Sequence, residues 1–501
     1  MRDAAAVLGA IGALGLLLGR PRAVLLAALV TITAAEVLFA GDLLPRGFDS
    51  VVSPKGAAAV VLGVPVLAAL AWGFVRFPAA VPPAVVGLAP FRLPFDIGTE
   101  HRFFVGLGQG GALGRLIPLY TALAAAGAAL AWRAVREEEP RPLPTFLAAP
   151  AALLTALMSL SLLWAYDGSA AATRIAFFVL PFAVLLRVVA AAPFRPWLPR
   201  VLAIEAVALG CLFAAVGIAE EWTHRLLFYE PKLSVANNYT SYFRVTSLFS
   251  DPSIYARHLV VVLTIVVVVA LLAKAPIVLC TVAAAFIWTG LYFSYSQSSL
   301  AALGVAAVLV TTVAGGRRTR QVLGAGVVVL LVAGFAAFAI VAREHSADRI
   351  VSGRWTLAKD AWVVFADHPV AGVGIASQPA ASRDVGSRRE SERRTTSHTA
   401  PLTIAAELGA AGLFLYLAFL AAAVRLCYML RARDDPLGLG VLGVLAVLVV
   451  HSLSYGVFFE DPLLWAALGV GAATALGRER LAASTSRVPP RVASAPAPAA
   501  R

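Results

Sequence analysis

The chain has 501 residues, of which 60% are hydrophobic and 14% are charged. A soluble protein carries roughly a quarter of charged residues, so this composition excludes a soluble globular protein. The net charge of +13 suggests nucleic acid at first sight, but much of it lies in short connections between apolar runs, where cytoplasmic anchoring of membrane helices predicts it.

Apolar runs of about 17–25 residues recur along nearly the whole chain, and each can cross a hydrocarbon core of about 30 Å. We predict an all-α fold, a polytopic transmembrane helical bundle of about 12–15 spans. An outer-membrane barrel is excluded because its segments are short and alternating. The predicted spans are 4–19, 22–40, 57–75, 114–132, 144–165, 174–192, 200–219, 253–273, 276–296, 298–315, 320–342, 400–430, 437–456 and 458–477.

Two features set the predicted topology. The basic connections fall on one side when spans are counted back from the C-terminus, which makes that side cytoplasmic and places residues 343–398 outside. The proline-rich segment 77–95 predicts either a short, broken span or a re-entrant piece. If it crosses the membrane, Arg20 and Arg22 become cytoplasmic, as the positive-inside rule favours.

The stretch 220–258 predicts an outer-side anion site. Asp251 and Pro252 are typical of a helix start, as N-cap and first helical residue. Arg244 precedes that start, and Arg257 lies about 7–9 Å further along the helix. A helix N-terminus beside arginines suits phosphate. The alternative is that both arginines are interfacial anchors reaching lipid headgroups.

The polar segment 343–398 contains a predicted surface helix, Gly353–Pro369. Its apolar residues recur at helical spacing and form one stripe: Trp355, Ala358, Trp362 and Phe365. Arg354, at the start of this helix, either binds an anionic headgroup or belongs to a plain interfacial helix.

Two ionisable residues flank the entry into the span 400–430. His398 lies at its outer mouth, where a neutral imidazole can accept a proton from a sugar hydroxyl, although an ordinary surface histidine is the alternative. Glu407 lies about 13 Å deeper and must be paired or neutral, as a functional group or a helix–helix clamp. Gly409 and Gly412 predict close helix packing nearby. A further polar cluster predicts structural capping: His451, Tyr455, Glu460 and Asp461.

Several signals of other enzyme classes are missing from the sequence. It contains no Asp-x-Asp nucleotide-sugar motif, P-loop or zinc-ligand pair, so we predict no cofactor and no metal. Gly106–Gly111 superficially resembles a phosphate loop, but no βαβ unit surrounds it, and it predicts a flexible connection. The cysteines lie in apolar spans and imply no disulfide framework: Cys211, Cys280 and Cys427.

Three stretches resemble the O-antigen ligase and polymerase family. Arg244–Ala256 (Arg-Val-Thr-Ser-Leu-Phe-Ser-Asp-Pro-Ser-Ile-Tyr-Ala) resembles its arginine-containing stretch before a span. The stretch from Arg354-Trp355 through Asp367–Gly374 (Asp-His-Pro-Val-Ala-Gly-Val-Gly) resembles its large periplasmic loop. Ser397–Gly412 is similar to its His-Asn … Glu-x-Gly-x-x-Gly helix. The resemblance covers roughly residues 200–470.

The resemblance implies a metal-independent glycosyltransferase in the bacterial cytoplasmic (inner) membrane. Its donor would be a glycan on undecaprenyl diphosphate, and its acceptor a hydroxyl of lipid A-core, a growing glycan or a protein. By matching position, Arg244 and Arg354 would bind the diphosphate and His398 would serve the acceptor hydroxyl. Arg257 joins the predicted diphosphate site.

The matching positions also give supporting roles to Glu407, Gln297 and His368. Two departures stand out, since Ser296-Gln297-Ser298 replaces a Ser-Arg-Gly run and Thr399 replaces an asparagine. The predicted regions are N-terminal transmembrane helices (1–199), a ligase-like core (200–477) with an extracytoplasmic loop at 343–399, and a disordered cytoplasmic tail (478–501).

Other functions stay open at this point. Ligase and polymerase cannot be separated, because acceptor choice lies in loops without a sequence code. A flippase for lipid-linked glycans would need charged residues along a central path, whereas the polar groups here concentrate on one face. A non-catalytic envelope scaffold is the third possibility.

Overall fold

The chain forms a bundle of apolar helices. The structure, a computed structural model, describes residues 1–44, 47–91, 95–97, 103–105, 116–136, 141–228, 230–273, 275–318, 320–326, 354–385, 396–431, 436–456 and 458–486. Several predicted features lie outside these residues: the connection 106–111, the span 320–342 from residue 327 onward, and the tail from residue 487.

The helices are numbered in chain order. They are α1 (Arg2–Leu18), α2 (Arg22–Leu43), α3 (Asp49–Val52), α4 (Pro54–Arg76), α5 (Val81–Leu88), α6 (Ile117–Val135), α7 (Thr145–Leu160), α8 (Gly168–Arg174), α9 (Leu180–Ala191), α10 (Leu198–Thr223), α11 (Pro231–Tyr239), α12 (Pro252–Leu272), α13 (Ile277–Tyr292), α14 (Gln297–Ala314), α15 (Arg354–Asp367), α16 (Gln378–Val385), α17 (Ala400–Arg431), α18 (Pro436–Ser452) and α19 (Pro462–Ser486). The predicted tail, 478–501, thus begins inside α19.

Irregular turns interrupt this helical pattern. A 3₁₀ turn (Pro78–Ala80) precedes α5, another (Ser161–Trp164) follows α7, and a π-helical turn (Ile175–Val179) joins α8 to α9. The strands β1 (Phe95–Ile97) and β2 (Phe103–Val105) pair as an antiparallel hairpin.

Eight of the described helical segments are long and apolar enough to cross a membrane. They are Arg22–Leu43, Gly56–Arg76, Thr145–Trp164, Gly168–Ala191, Leu198–Thr223, Pro252–Leu272, Gln297–Ala314 and Ala400–Arg431. Shorter apolar helices include α13, α18 and the first part of α19. The predicted all-α class and polytopic helical bundle are confirmed, with the small β-hairpin as an addition.

The bundle has two chemically different ends. We call the end that carries α15, α16 and His398 the loop end, and the end where α17 finishes at Arg431 the basic end. Arg431 donates to the Val313 carbonyl near the end of α14. Arg20 donates to the Thr145 hydroxyl (3.1 Å) at the start of α7. These two arginines therefore lie at the same end, away from His398.

The proline-rich segment 77–95 is short and broken. α5 has eight residues, which is about 12 Å of helix and less than half of the hydrocarbon thickness. It packs on α10 and α6, and the 3₁₀ turn Pro78–Ala80 directly precedes it. A short, broken segment at membrane depth requires protein contacts of this kind.

The long helix α17 is broken at Gly409, where φ is 67° and ψ is −166°. Residues with side chains rarely adopt this conformation. A Cβ on Gly409 would overlap the carbonyl of Val370, so the position also demands glycine on steric grounds. The sequence predicted close packing of another helix here, and the neighbour is instead the connection between α15 and α16.

That connection pairs with the broken helix through its backbone. The Val373 N–H donates to the Ala406 carbonyl (3.0 Å), and the Gly374 N–H donates to the Glu407 carbonyl (2.8 Å). In the other direction, the Ala410 N–H donates to the Pro369 carbonyl (2.8 Å). The groups that the break releases are therefore satisfied, as buried backbone in a membrane protein requires.

The other side of the same connection packs on the turn between α7 and α8. The Tyr166 N–H donates to the Val373 carbonyl (2.9 Å), and the Ile375 N–H donates to the Ser161 hydroxyl (3.0 Å). The Asp167 N–H donates to the Ser377 hydroxyl (3.0 Å). We call residues 369–377 the clamp segment, because α17 holds it on one side and the α7–α8 turn holds it on the other.

α15 runs over most of the predicted surface helix 353–369. Its buried face differs from the predicted stripe, because Ala361 and Val364 pack towards α17. Trp355 and Trp362 are instead 62% and 58% exposed. Of the predicted stripe, Phe365 packs against this buried cluster, whereas the two tryptophans do not.

We predict that Gly409→Ala destabilises the protein. The left-handed backbone costs about 1–3 kcal/mol for a residue with a side chain, and overlap with the Val370 carbonyl adds to that cost. Thermal unfolding of the purified protein measures the effect. The control is Gly304→Ala, since an added Cβ there meets nothing within 4 Å. Equal melting temperatures for the two variants would contradict the assigned role of the break.

Candidate functional site

The first component of the site is the start of α12. The Asp251 carboxylate accepts hydrogen bonds from the N–H groups of Ser253 (2.7 Å) and Ile254 (3.2 Å), and Pro252 is the first helical residue. The predicted cap is therefore confirmed. This start lies at the loop end of the bundle, close to His398, on which the charge of Asp251 acts.

His398 lies in a fixed turn just before α17. Its backbone is left-handed, with φ at 57°, which is uncommon for a residue with a side chain. The preceding residue fixes the turn: the Ser397 N–H donates to Gln378 Oε1 (3.1 Å), and its hydroxyl shares a hydrogen bond with Thr403 (2.7 Å). The Thr399 hydroxyl donates to the Leu453 carbonyl (3.4 Å). The half-buried imidazole is thus held in one place.

The charges around His398 favour its neutral form. Burial, and then the positive charge of Arg354, lower the pKa of His398, whereas Asp251 raises it. The net shift is downward, so the imidazole stays neutral to a lower pH than an ordinary histidine. A neutral imidazole is able to accept a proton. Arg354, exposed at the start of α15, is thus one of the charges that act on His398.

An aromatic contact joins His398 to the loop between α18 and α19. The rings of His398 and Tyr455 have centroids 6.4 Å apart, and those of Tyr455 and His451 are 5.3 Å apart. A Cβ on Gly456 would lie 3.7 Å from the Cα of His398. The α18–α19 loop therefore forms one wall of the histidine site.

Arg257 has a different place from the predicted one. Its guanidinium pairs with Asp461 at 2.8 Å, and the two side chains are 3% and 1% exposed. A side chain so buried is not an interfacial anchor, and a carboxylate already compensates its charge. Asp461 also caps the start of α19, accepting from the Leu463 N–H (2.9 Å). The pair fixes the α18–α19 loop to α12.

The sequence reasoning missed Arg174. This arginine donates to Glu407 (3.2 Å) and to Glu460 (3.0 Å), so it joins α8 to α17 and to the α18–α19 loop. The backbone amides of Ala376 and Gln378 also lie near the Glu407 carboxylate. The signal was present, because Arg174 is a cation inside an apolar run and such residues need a partner. Spacing alone did not identify that partner.

A small cavity lies beside this ion-pair network. Its volume is about 30 Å³, enough for about two water molecules. Its polar lining includes Arg174, Thr403, Glu407 and Glu460, and Gly456 lines it as well. The cavity therefore lies between the buried charges and the loop that packs on His398.

Arg244 contacts a separate set of groups at the loop end. Its Nε donates to the Ser294 carbonyl (3.2 Å), and its backbone exchanges two hydrogen bonds with the Asn237 side chain (both 3.0 Å). The buried Glu220 carboxylate accepts from the next residues, Thr246 (2.8 Å) and Ser247 (2.7 Å). Arg244 is therefore half-buried and held in place between α11 and the α13–α14 connection.

The two remaining predicted residues are exposed. Gln297 is the first residue of α14 and follows a hydrogen-bonded group of serine hydroxyls that includes Ser296. His368 lies just beyond the far end of α15, about 20 Å along the helix from Arg354. The structure therefore does not bring His368 to the histidine site.

Residues 282–417 match the O-antigen ligase family model. The match covers about a quarter of the chain and supports a relation to the O-antigen ligase/polymerase family. No curated protein matches the chain. The matched residues include Arg354, His398, Glu407 and the break in α17, whereas Arg174 and Arg244 lie outside them. The family supports a membrane function in glycan transfer or polymerisation.

We predict that Arg174→Gln destabilises the protein more than Glu460→Gln does. Arg174→Gln leaves two carboxylates, Glu407 and Glu460, without their cation, whereas Glu460→Gln leaves the pair between Arg174 and Glu407 intact. Breaking a buried pair costs up to about 3–5 kcal/mol. Melting temperatures from thermal unfolding show which variant is less stable, with Arg200→Gln, at an exposed position, as control. A reversed order would show that the network does not hold these elements together.

Proposed function

We propose that the protein is an O-antigen ligase-like glycosyltransferase. It moves a glycan from an undecaprenyl-diphosphate carrier to an acceptor hydroxyl at the outer face of the bacterial inner membrane. The observation that carries this proposal is the fixed turn at His398 at the loop end, where the charges of Arg354 and Asp251 act on the imidazole. The family match to the same segment supports it.

The proposed reaction is a single displacement at the donor sugar. The acceptor oxygen bonds to the anomeric carbon, and the bond from that carbon to the diphosphate oxygen breaks. The proton of the acceptor hydroxyl passes to His398, acting as general base. The carrier leaves as undecaprenyl diphosphate, with its charge stabilised by fixed cations.

The proposal assigns the diphosphate to Arg354 and Arg244. Arg354 is exposed, and Arg244 is half-buried on a fixed loop. Guanidinium groups bind phosphate oxygens through two parallel hydrogen bonds, which suits a diphosphate without requiring a metal ion. We withdraw Arg257 from this role, because Asp461 already pairs with it.

The compartment in this proposal follows from the two ends of the bundle. The basic end carries Arg20 and Arg431, and positively charged connections favour the cytoplasm. The loop end then faces the outside, where His398 and Arg354 meet both substrates. A transmembrane enzyme suits this reaction because the lipid tail of the donor remains in the bilayer.

Two alternatives remain beside the ligase. A polymerase of the same family would use a growing glycan as acceptor. A flippase would move the lipid-linked glycan without forming a bond, and the match to an O-antigen ligase model does not favour it. Supplying lipid acceptors and glycan acceptors separately distinguishes a ligase from a polymerase. Formation of a glycosylated acceptor excludes a flippase.

We predict that His398→Ala and Arg354→Gln reduce transfer by about a hundredfold or more, the usual size for a lost general base or charge-stabilising group. The purified protein is supplied with undecaprenyl-diphosphate-linked glycan and candidate acceptors, with a chelator present. Lys359→Gln, an exposed cation on the same helix, is the control. Full activity in the first two variants refutes the site, and loss of activity on chelation refutes the metal-independent mechanism.

We also predict opposite shifts in the pH profile from the two charges that act on His398. Arg354→Gln removes a charge that lowers the His398 pKa, so that pKa rises and activity is lost at a higher pH on acidification. Asp251→Asn removes a charge that raises the His398 pKa, so that pKa falls and activity is lost at a lower pH on acidification. Asparagine still caps a helix. Shifts in the same direction would contradict the general-base role.

A further inference from the structure

Three tyrosines form a contiguous aromatic surface at the loop end, outside the histidine site. Tyr242 lies in the loop before α12, Tyr292 ends α13, and Tyr295 lies in the α13–α14 connection. The ring centroids of Tyr242 and Tyr295 are 4.6 Å apart, and those of Tyr292 and Tyr295 are 5.7 Å apart. We call these three residues the tyrosine cluster.

The rings of the tyrosine cluster remain accessible although they contact one another. Tyr292 is 57% exposed and Tyr242 is 42% exposed. Tyr295, between them, has a left-handed backbone with φ at 51°. This conformation is uncommon for an aromatic residue and has an energetic cost. The surrounding turn thus holds Tyr295 where its ring meets both neighbours.

The two loops that carry the cluster are tied to each other. Arg244 donates to the Ser294 carbonyl (3.2 Å), and the Val245 N–H donates to the Phe293 carbonyl (3.3 Å). The Asn237 side chain donates to the Arg244 carbonyl of the first loop, and the Glu220 carboxylate accepts from its Thr246 N–H, as described above. A ligand would therefore meet a surface that is already ordered, which reduces the entropic cost of binding.

Polar groups border the aromatic surface. Arg244 lies two residues from Tyr242 in sequence, and its Nε reaches the residue before Tyr295. The charge of Glu221 acts on Tyr295. Glu221 Oε2 is buried and has no hydrogen-bond partner among the described residues. The cluster thus combines exposed aromatic faces with a cation and an acceptor.

This combination suits a sugar ring. A pyranose presents a face of C–H bonds that packs on the electron-rich face of an aromatic ring. Its hydroxyl groups meanwhile need hydrogen-bond partners, which a guanidinium and a carboxylate supply. A simple interfacial belt of tyrosines does not require mutual ring contacts, a strained Tyr295 or an adjoining Arg244.

We infer that the tyrosine cluster binds a sugar ring of the lipid-linked glycan, next to the diphosphate contact at Arg244. This inference rests on the proposed function, since it assumes that the substrate is a glycan on a diphosphate carrier. The sugar nearest the diphosphate would lie against the cluster. The aromatic faces then select for a glycan on the carrier, which the arginines alone do not recognise.

Two matched substitutions at each exposed tyrosine test this inference. Tyr292→Leu and Tyr242→Leu remove the aromatic face, whereas Tyr292→Phe and Tyr242→Phe retain it. Each variant is placed in lipid nanodiscs and titrated with two probes. One is the undecaprenyl-diphosphate-linked glycan extracted from the bacterium that carries this protein, and the other is undecaprenyl diphosphate without a glycan. Thermal unfolding identifies any variant that fails to fold, and the other tyrosine position then decides the outcome.

For the leucine variants, we expect the Kd of the glycan-bearing probe to rise about three- to tenfold, the size of one lost aromatic contact. The Kd of the bare carrier stays unchanged, and the phenylalanine variants bind like the original protein. Unchanged binding of both probes, or equal weakening of both, overturns the inference. Binding is measured without transfer, so a protein that selects the glycan through these tyrosines yet transfers none refutes only the proposed function.

Discussion

The break in α17 is the constraint on which the rest of the loop end depends. A helix broken at membrane depth releases carbonyl and N–H groups that lipid cannot satisfy. The clamp segment satisfies them at Ala406, Glu407 and Ala410, and this pairing is close enough to require glycine at 372 and 409. The position of the clamp segment is thus set by backbone hydrogen bonds rather than by side-chain packing alone.

From the clamp segment, two routes of contact lead to His398. In one, Gln378 follows the segment directly and accepts from the Ser397 N–H, which fixes the turn. In the other, Glu407 holds Arg174, which holds Glu460 in the loop that packs on the imidazole. Both routes of contact end at the turn or the loop that adjoins His398. The N-terminal spans contribute Arg174 and are therefore part of the site.

Local sequence patterns predicted the spans and the helix cap, whereas the ion pairs and the neighbour of Gly409 depend on long-range contacts. The spans follow from apolar length, and the cap at Asp251 follows from its neighbour Pro252, because both effects act within a few residues. Arg174 and Glu407 are 233 positions apart, and nothing in their spacing indicates that they meet. Gly409 looked like a helix-packing glycine because a sequence does not show which backbone approaches it. Arg257 looked like an anion ligand until Asp461, far along the chain, proved to be its partner.

The buried ion pairs divide the arginines of the loop end by role. Arg174 and Arg257 have carboxylate partners in the α18–α19 loop, so their charges are compensated before any ligand arrives. Placing an anion beside them would require breaking a buried pair, which is costly. Arg354 remains exposed, and the Arg244 Nε donates only to a neutral carbonyl. In the proposed reaction, a diphosphate would therefore gain most from Arg354 and Arg244, and the ion pairs of Arg174 and Arg257 would hold the α18–α19 loop beside His398.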